Sequence, residues 1–101
     1  MKRISDARRS SSYVEILFED GSRGSVPHLG MELLDWNANS LVFADRYGVT
    51  VQDGTGRHVG TIGFSSGYER VRAVGETIVI TSGSYCYTFS RTGSPLRTDP
   101  R

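Results

Sequence analysis

Tyrosine and arginine are the residue types in this sequence with the clearest potential for binding. Both are enriched at the energetic centres of protein interfaces, and both stack on the bases of single-stranded nucleic acids. The alternative is that the tyrosines reflect the ordinary β-sheet preference of aromatic residues and that the arginines are solvated. The binding interpretation selects six candidate contact residues in predicted strands, turns or loops: Arg46, Tyr47, Tyr68, Arg70, Tyr85 and Tyr87.

The two histidines and the single cysteine do not form a recognisable catalytic or metal-binding motif. Neither His28 nor His58 has a cysteine or a carboxylate at metal-ligand spacing, so we expect both to be structural or surface residues. Cys86 is flanked by two tyrosines and is expected to be a packed, inert thiol, because a nucleophilic cysteine needs a histidine or a helix N-terminus beside it. We therefore expect no catalytic residue, metal or cofactor, and an enzyme with an unrecognised site is kept as an alternative.

Two glycine-containing patterns have the composition of ligand-binding loops but lack the residues that such loops need. The Asp20-Gly21 and Asp53-Gly54 pairs lack the series of oxygen ligands of a calcium loop and are typical of hairpin turns. The loop at residues 63–67 could cradle a phosphate only if a helix followed it, and a strand is predicted there instead.

Charge and composition limit the possible partners. The chain has 12 basic and 11 acidic residues, and its net charge of +1 is far from the basic excess that is common among nucleic-acid-binding proteins. No apolar run approaches the roughly 20 residues of a membrane helix, and the first residues lack the apolar segment of a secretory signal. A single cysteine fits a reducing compartment. We expect a cytoplasmic protein without a membrane partner.

A β-hairpin at residues 48–62 is the strongest structural pattern in the sequence. Val49 and Val51 alternate with polar residues and lead into the turn Asp53-Gly54-Thr55-Gly56. Similar patterns recur at residues 16–26 and 87–96. Strands are predicted at residues 13–18, 25–26, 40–44, 49–53, 57–62, 70–74, 77–81, 85–90 and 95–98, whereas residues 29–36 fit either a short helix or a strand. The predicted fold class is all-β.

The predicted strands group into repeated antiparallel units of four, at residues 34–62 and 70–98. The segments SLVFADRYGVTVQDGTGRHVGTI and TIVITSGSYCYTFSRTGSPLRT resemble blades of the β-propeller proteins of the quinoprotein-like and WD-like families. Val49, Val51, Asp53 and Gly56 match the blade pattern of an apolar third strand, an acidic residue and a glycine turn. Arg91 stands where the second unit should have its acidic residue. Residues 13–27 supply only the outer half of a third blade.

The resemblance implies a partial propeller, because closed propellers usually have four or more blades. Either several protomers complete a ring, or the repeats fold within one chain as a compact barrel or sandwich. Strand edges near residues 14–18 and Leu96 would be left open, and open edges favour further pairing. We therefore predict a homo-oligomer, most simply a two-fold dimer.

These patterns predict one all-β domain at residues 13–98. Residues 1–12 are expected to form a flexible basic arm, and residues 99–101 a disordered tail. The predicted function is a small non-enzymatic protein-binding or structural module that self-associates and binds another protein. The alternative is a nucleic-acid-associated protein that uses the basic arm and the exposed tyrosines and arginines.

Overall fold

The computed structural model describes residues 2–46, 48–64 and 67–101, which form eleven β-strands and no helix. The predicted all-β class is confirmed. The strands are β1 (Ile4–Arg9), β2 (Tyr13–Phe18), β3 (Arg23–Pro27), β4 (Glu32–Trp36), β5 (Leu41–Asp45), β6 (Gly48–Gln52), β7 (His58–Gly63), β8 (Arg70–Val74), β9 (Thr77–Ser82), β10 (Tyr85–Ser90) and β11 (Pro95–Pro100).

These strands form three antiparallel sheets that follow one another along the chain. The first sheet has the order β1-β2-β3, the middle sheet β4-β5-β6-β7 and the third sheet β8-β9-β10-β11. Strands that are neighbours in sequence are therefore neighbours in space, as in repeated hairpins. The middle and third sheets correspond to the two predicted four-stranded units, and none of the sheets in the described part of the chain is closed.

The middle sheet lies between the other two, and side-chain alternation along β5 shows how. Leu41 and Phe43 belong to the apolar core shared with the first sheet, whereas Val42 belongs to the core shared with the third sheet. All three side chains are 0% exposed. Successive side chains of a strand point to opposite faces. The middle sheet is therefore buried on both faces, and the outer two sheets are each buried on one.

Each of the two cores is made of residues from two neighbouring sheets. The first contains Ile4, Ala7, Val14, Ile16, Phe18, Val26, Leu41 and Phe43. The second contains Val42, Val49, Val51, Ile62, Val71, Ile78 and Ile80.

The same five-residue turn joins the last two strands of all three sheets. The turns run from Phe18 to Ser22, from Asp53 to Arg57 and from Ser90 to Ser94, with the first amide donating to the last carbonyl at 2.8–2.9 Å. In each turn the fourth residue is a glycine with positive φ, at +85°, +86° and +98° for Gly21, Gly56 and Gly93. Only glycine adopts this conformation without steric cost. In the turn Asp53-Gly54-Thr55-Gly56, the residue that requires glycine is therefore Gly56.

The repeated turn corrects one detail of the sequence alignment. The Asp-Gly pairs of the sequence suggest that Asp20 is equivalent to Asp53, but the hydrogen bonds of the turns show that Phe18 occupies the position of Asp53. The true repeat is read from the glycines of the turns, which are 35 and 37 residues apart.

The last turn of the third sheet packs directly on the middle sheet. A Cβ added to Gly60 in β7 would lie 2.5 Å from the carbonyl oxygen of Arg91. The turn of the middle sheet also packs on the first sheet, but there Gly54 of the turn meets side chains, since a Cβ at Gly54 would lie 2.8 Å from the ring of Phe18. Each of these sheets is therefore in contact with the preceding one through its last turn.

The expectation of a flexible arm at residues 1–12 is wrong for Ile4–Arg9. These residues form β1, which pairs with β2, and Ile4 and Ala7 are 3% and 8% exposed in the first core. A register shift between Ile4 and Asp6 separates the two buried side chains by three residues rather than two, so the period-two signal of a strand is lost. The edge predicted at residues 14–18 is also absent, because β2 is the central strand of its sheet.

Two further segments are assigned by the structure. Residues 29–36, which fitted helix or strand, contain β4, and a register shift between Leu33 and Asp35 accounts for their irregular apolar spacing. The predicted disordered tail is wrong for Asp99 and Pro100, which belong to β11. Leu96 does lie on an edge strand, since β11 pairs only with β10.

Replacing Gly60 with alanine should destabilise the protein by about 3 kcal/mol, because the added Cβ collides with backbone that cannot rotate away. Gly63→Ala in the same strand is the matched control, since a Cβ there meets nothing within 4 Å. Urea titration of both variants measures the difference. Equal stabilities would show that the turn does not press on β7.

Asp53 should make the protein sensitive to acid. Burial by itself raises the pKa of this carboxyl, but hydrogen bonds from the Thr55 hydroxyl and from the amides of Thr55 and Arg57 outweigh burial, and the net pKa is lowered. The stabilisation is therefore present above the unfolded pKa of about 3.9 and is lost as pH falls through the folded one. Asp53→Asn should cost about 1 kcal/mol near neutral pH, with the difference shrinking in acid. A difference that is constant with pH, in denaturant titrations at several pH values, would contradict this.

Candidate functional site

A cleft lies between β4 of the middle sheet and β8 of the third sheet. Its volume is about 610 Å³. The residues that line it are Glu32, Leu34, Asp35, Tyr68, Glu69, Arg70, Val71 and Arg72. Two of the six candidate contact residues, Tyr68 and Arg70, are therefore part of one site.

Strand alternation determines which side chains of β8 face solvent. Val71 is buried in the second core and Ala73 packs against it, whereas Arg70 and Arg72 lie on the opposite face and are exposed. We call the face of the third sheet that carries both arginines its outer face. Their cross-strand neighbours on β9 are Thr81 and Val79.

One hydrogen bond joins the two strands that border the cleft. The amide of Ala73 donates to Asp35 Oδ2 at 2.8 Å. The free edge of β8 thus receives an acceptor from a neighbouring side chain instead of from another strand. Since the backbone groups of an edge strand point outwards at every second residue, Val71 presents its own N–H and C=O in the direction of the Ala73 amide.

Tyr68 lies at the base of the cleft, half-buried against the second core. Burial raises the pKa of its phenol, and the neighbouring Glu32 carboxylate raises it further. The phenol is therefore protonated at neutral pH and available as a hydrogen-bond donor.

The charged residues of the cleft differ in whether they already have partners. Glu69 accepts hydrogen bonds of 2.8 Å from the guanidinium of Arg101 at both carboxylate oxygens. The guanidinium groups of Arg70 and Arg72 have no hydrogen bond or ion pair with any described residue. Arg91 is the contrasting case. Its guanidinium donates to the Ser40 hydroxyl and the Asn39 carbonyl at 2.7 Å and so ties the third sheet to the middle one.

The other candidate contact residues lie outside this cleft. Tyr85 and Tyr87 are on β10 with ring centroids 6.3 Å apart, and Tyr87 also contacts Phe64 edge to face at 5.2 Å. Tyr87 thus has a packing role, and Tyr85 is 48% exposed. Arg46 is an exposed turn residue, and Tyr47 lies outside the described residues.

Sequence reasoning missed Glu32, Asp35 and Arg72 as parts of the site. The sequence signal that could have identified these three residues is the repeat. The registers β4–β5 and β8–β9 place Glu32 at the position of Arg70, and Asp35 at the position of Arg72. Two acidic residues in one repeat thus become two arginines in the next.

The same registers show that both ends of the stack have polar outer faces. On the outer face of the first sheet, Asp6 and Arg8 occupy the positions of Leu41 and Phe43. On the outer face of the third sheet, Thr88, Arg97 and Asp99 occupy the positions of Val51, Gly60 and Ile62. The two outer faces of the described stack are therefore polar, whereas the faces between its sheets are apolar.

The histidines and the cysteine have structural surroundings. His28 is 4% exposed, accepts the Gly30 amide at Nδ1 and donates from Nε2 to the Ser10 carbonyl at 2.9 Å. His58 is exposed, and Cys86 is half-buried beside the Thr81 hydroxyl. In the part of the chain that the structure describes, no group of three or more His, Cys, Asp or Glu side chains could hold a metal ion. The loop at residues 63–67 includes Ser65 and Ser66, which lie outside the described residues.

Comparisons with protein-family models, curated protein sequences and solved structures gave no significant match to this chain. Within the described ranges there is also no helix with the length and apolarity needed to cross a membrane.

Replacing Glu32 with glutamine should lower the pKa of Tyr68, because it removes a negative charge that disfavours the phenolate. Glu69→Gln is the control, since Glu69 is bound to Arg101. NMR titration of ring-labelled tyrosine measures both. An unchanged Tyr68 titration in Glu32→Gln would place Glu32 away from the phenol.

Proposed function

We propose that this protein is a small, non-enzymatic β-repeat module that binds another protein through the β4/β8 cleft and the adjoining outer face of β8. The observation that carries the proposal is the pair Arg70 and Arg72, which share one face beside a cleft and have no partner within the described residues. Arginine is the residue type best suited to recognising carboxylates at an interface.

The chemistry of the cleft supports binding rather than catalysis. Asp35 already accepts a backbone amide, Glu69 is paired with Arg101, and the pKa of Tyr68 is raised away from neutrality. A general base needs an acceptor that is not already bound, and a nucleophile needs such a base beside it. Asp35 and Glu69 are already bound, and the phenol of Tyr68 is protonated at neutral pH.

Two observations favour a protein over a nucleic acid as the partner. The nucleic-acid hypothesis assigns the basic residues Arg8 and Arg9 to a flexible arm. In the structure both residues lie on β1. The cleft itself contains the carboxylates of Glu32, Asp35 and Glu69 beside its two arginines. A phosphate backbone carries a negative charge at every nucleotide and needs excess positive charge along its path, whereas two arginines suffice to pair with two carboxylates.

The three stacked sheets with one repeated turn also support kinship with propeller blades. Closure of a ring between chains has less support, because it would bury the charged side chains of both outer faces. Buried charges are costly unless each finds a partner. Self-association stays a prediction, and sedimentation of the 11.1 kDa chain tests it.

Photo-cross-linking in cells of the organism that encodes the protein tests the proposed module. A photoreactive residue at Thr81, the cross-strand neighbour of Arg70, should give protein adducts that disappear in Arg70→Glu/Arg72→Glu. The same residue at Ser25, on the exposed face of the first sheet, should give no such adducts. Adducts removed by nuclease would favour the nucleic-acid alternative. The absence of any adduct at Thr81 would reject the module.

A further inference from the structure

The repeat indicates what kind of segment the outer face of β8 recognises. In the middle sheet, Asp35 meets the edge of the neighbouring β8 and supplies an acceptor to the Ala73 amide. Arg72 occupies the equivalent position in the third sheet, with Arg70 in place of Glu32. The position that binds a neighbouring strand has thus changed from an acceptor to a donor. Whatever lies against Arg72 must supply acceptors.

We propose that the outer face of β8 binds an extended, acidic segment of another protein, with carboxylate side chains on Arg70 and Arg72. This inference rests on the proposed function and specifies its partner. Side chains two residues apart on a strand lie on one face, so a segment with acidic residues at alternate positions matches the two arginines in spacing. Opposite charges across neighbouring strands are favourable, and like charges are unfavourable.

The backbone of β8 is suited to an extended ligand. Val71 lies between the two arginines, lines the cleft and points its N–H and C=O away from β9. An extended segment can therefore form main-chain hydrogen bonds with Val71 while its alternate side chains meet Arg70 and Arg72. Strand addition of this kind obtains affinity from the backbone and specificity from alternate side chains. Residues 70–74 contain no proline or register shift, but the Ala73 amide is already bound to Asp35, so main-chain pairing on this edge is centred on Val71.

The described strands of this chain do not match the two arginines. None of the eleven strands in the described residues carries acidic side chains two positions apart. A second copy would therefore not present the required spacing through one of these strands. The occupant that we infer is a segment of a different protein.

Fluorescence anisotropy with labelled peptides tests the proposal. The probes are short peptides of alternating threonine and glutamate, threonine and lysine, or threonine and glutamine, together with oligothymidylate. We expect the glutamate peptide to bind at least about tenfold more tightly than the other three probes, and less tightly as salt is added. N-methylation of its backbone amides should abolish binding if strand addition is the mode.

Charge reversal connects the binding to the two arginines. Arg70→Glu/Arg72→Glu should lose the glutamate peptide by at least about tenfold and should gain affinity for the lysine peptide. Arg23→Glu is the matched control, because Arg23 is an exposed strand arginine on the first sheet, and it should bind like the parent chain. Arg70→Gln/Arg72→Gln removes both positive charges without adding repulsion, and it should also weaken binding of the glutamate peptide. This variant replaces the charge reversal in the test if charge reversal disturbs the fold.

Four outcomes would overturn the inference. They are no binding of the glutamate peptide, equal binding of all peptides, loss of binding only in Arg23→Glu, and preferential binding of oligothymidylate. A concentration-dependent mass that disappears in Arg70→Glu/Arg72→Glu would also overturn it, by identifying a second copy as the occupant. If Thr81 cross-links a protein but the acidic peptide does not bind, the partner chemistry is wrong and the proposed function stands.

Discussion

The close approach of backbone to backbone at Gly60 is the constraint on which the stack of sheets depends. Because no side chain separates β7 from the turn of the third sheet, the two sheets come near enough for Val42, Val51, Ile78 and Ile80 to share one core. Burial of apolar surface is the main favourable contribution to folding, and it needs that proximity. At the other interface Gly54 lies in the turn and meets the ring of Phe18 instead of backbone. Both interfaces thus use one device, a last turn that packs on the preceding sheet.

The two interfaces use this device with different chemistry. At the first interface Gly54 has no side chain, and Ile4 and Phe18 fill the space beside it. At the second interface the equivalent residue is Arg91, whose guanidinium binds Ser40 and Asn39. The arginine that broke the expected acidic pattern of the repeat is therefore a polar contact between sheets. The half-buried side chain of Arg91 joins two sheets, which distinguishes it from the exposed side chains of Arg70 and Arg72.

Sequence patterns predict this fold where apolar and polar residues alternate without interruption and the alternation leads into a glycine turn. Val49 and Val51 alternate without interruption and lead into a glycine turn, so their hairpin is readily predicted. Ile4 and Ala7 are hidden by a register shift and by charged neighbours, and Leu33 and Trp36 gain helix-like spacing from a similar shift. Alternation predicts that Arg70 and Arg72 share a face. Their side chains have no partner among the described residues, whereas Arg91 binds Ser40 and Asn39, which are 51 and 52 positions away in sequence. No local pattern contains contacts at such a separation.

The burial of the middle sheet on both faces has a consequence for the order of unfolding. The first and third sheets can each open at one interface, and the other interface survives such a loss. Opening the middle sheet removes both interfaces together, because Leu41 and Phe43 serve one core and Val42 the other. Amide protons of β5 and β6 should therefore exchange with deuterated solvent only through global unfolding, while those of β1 and β11 exchange through local opening. The protein would then behave as a cooperative centre with two separately melting ends.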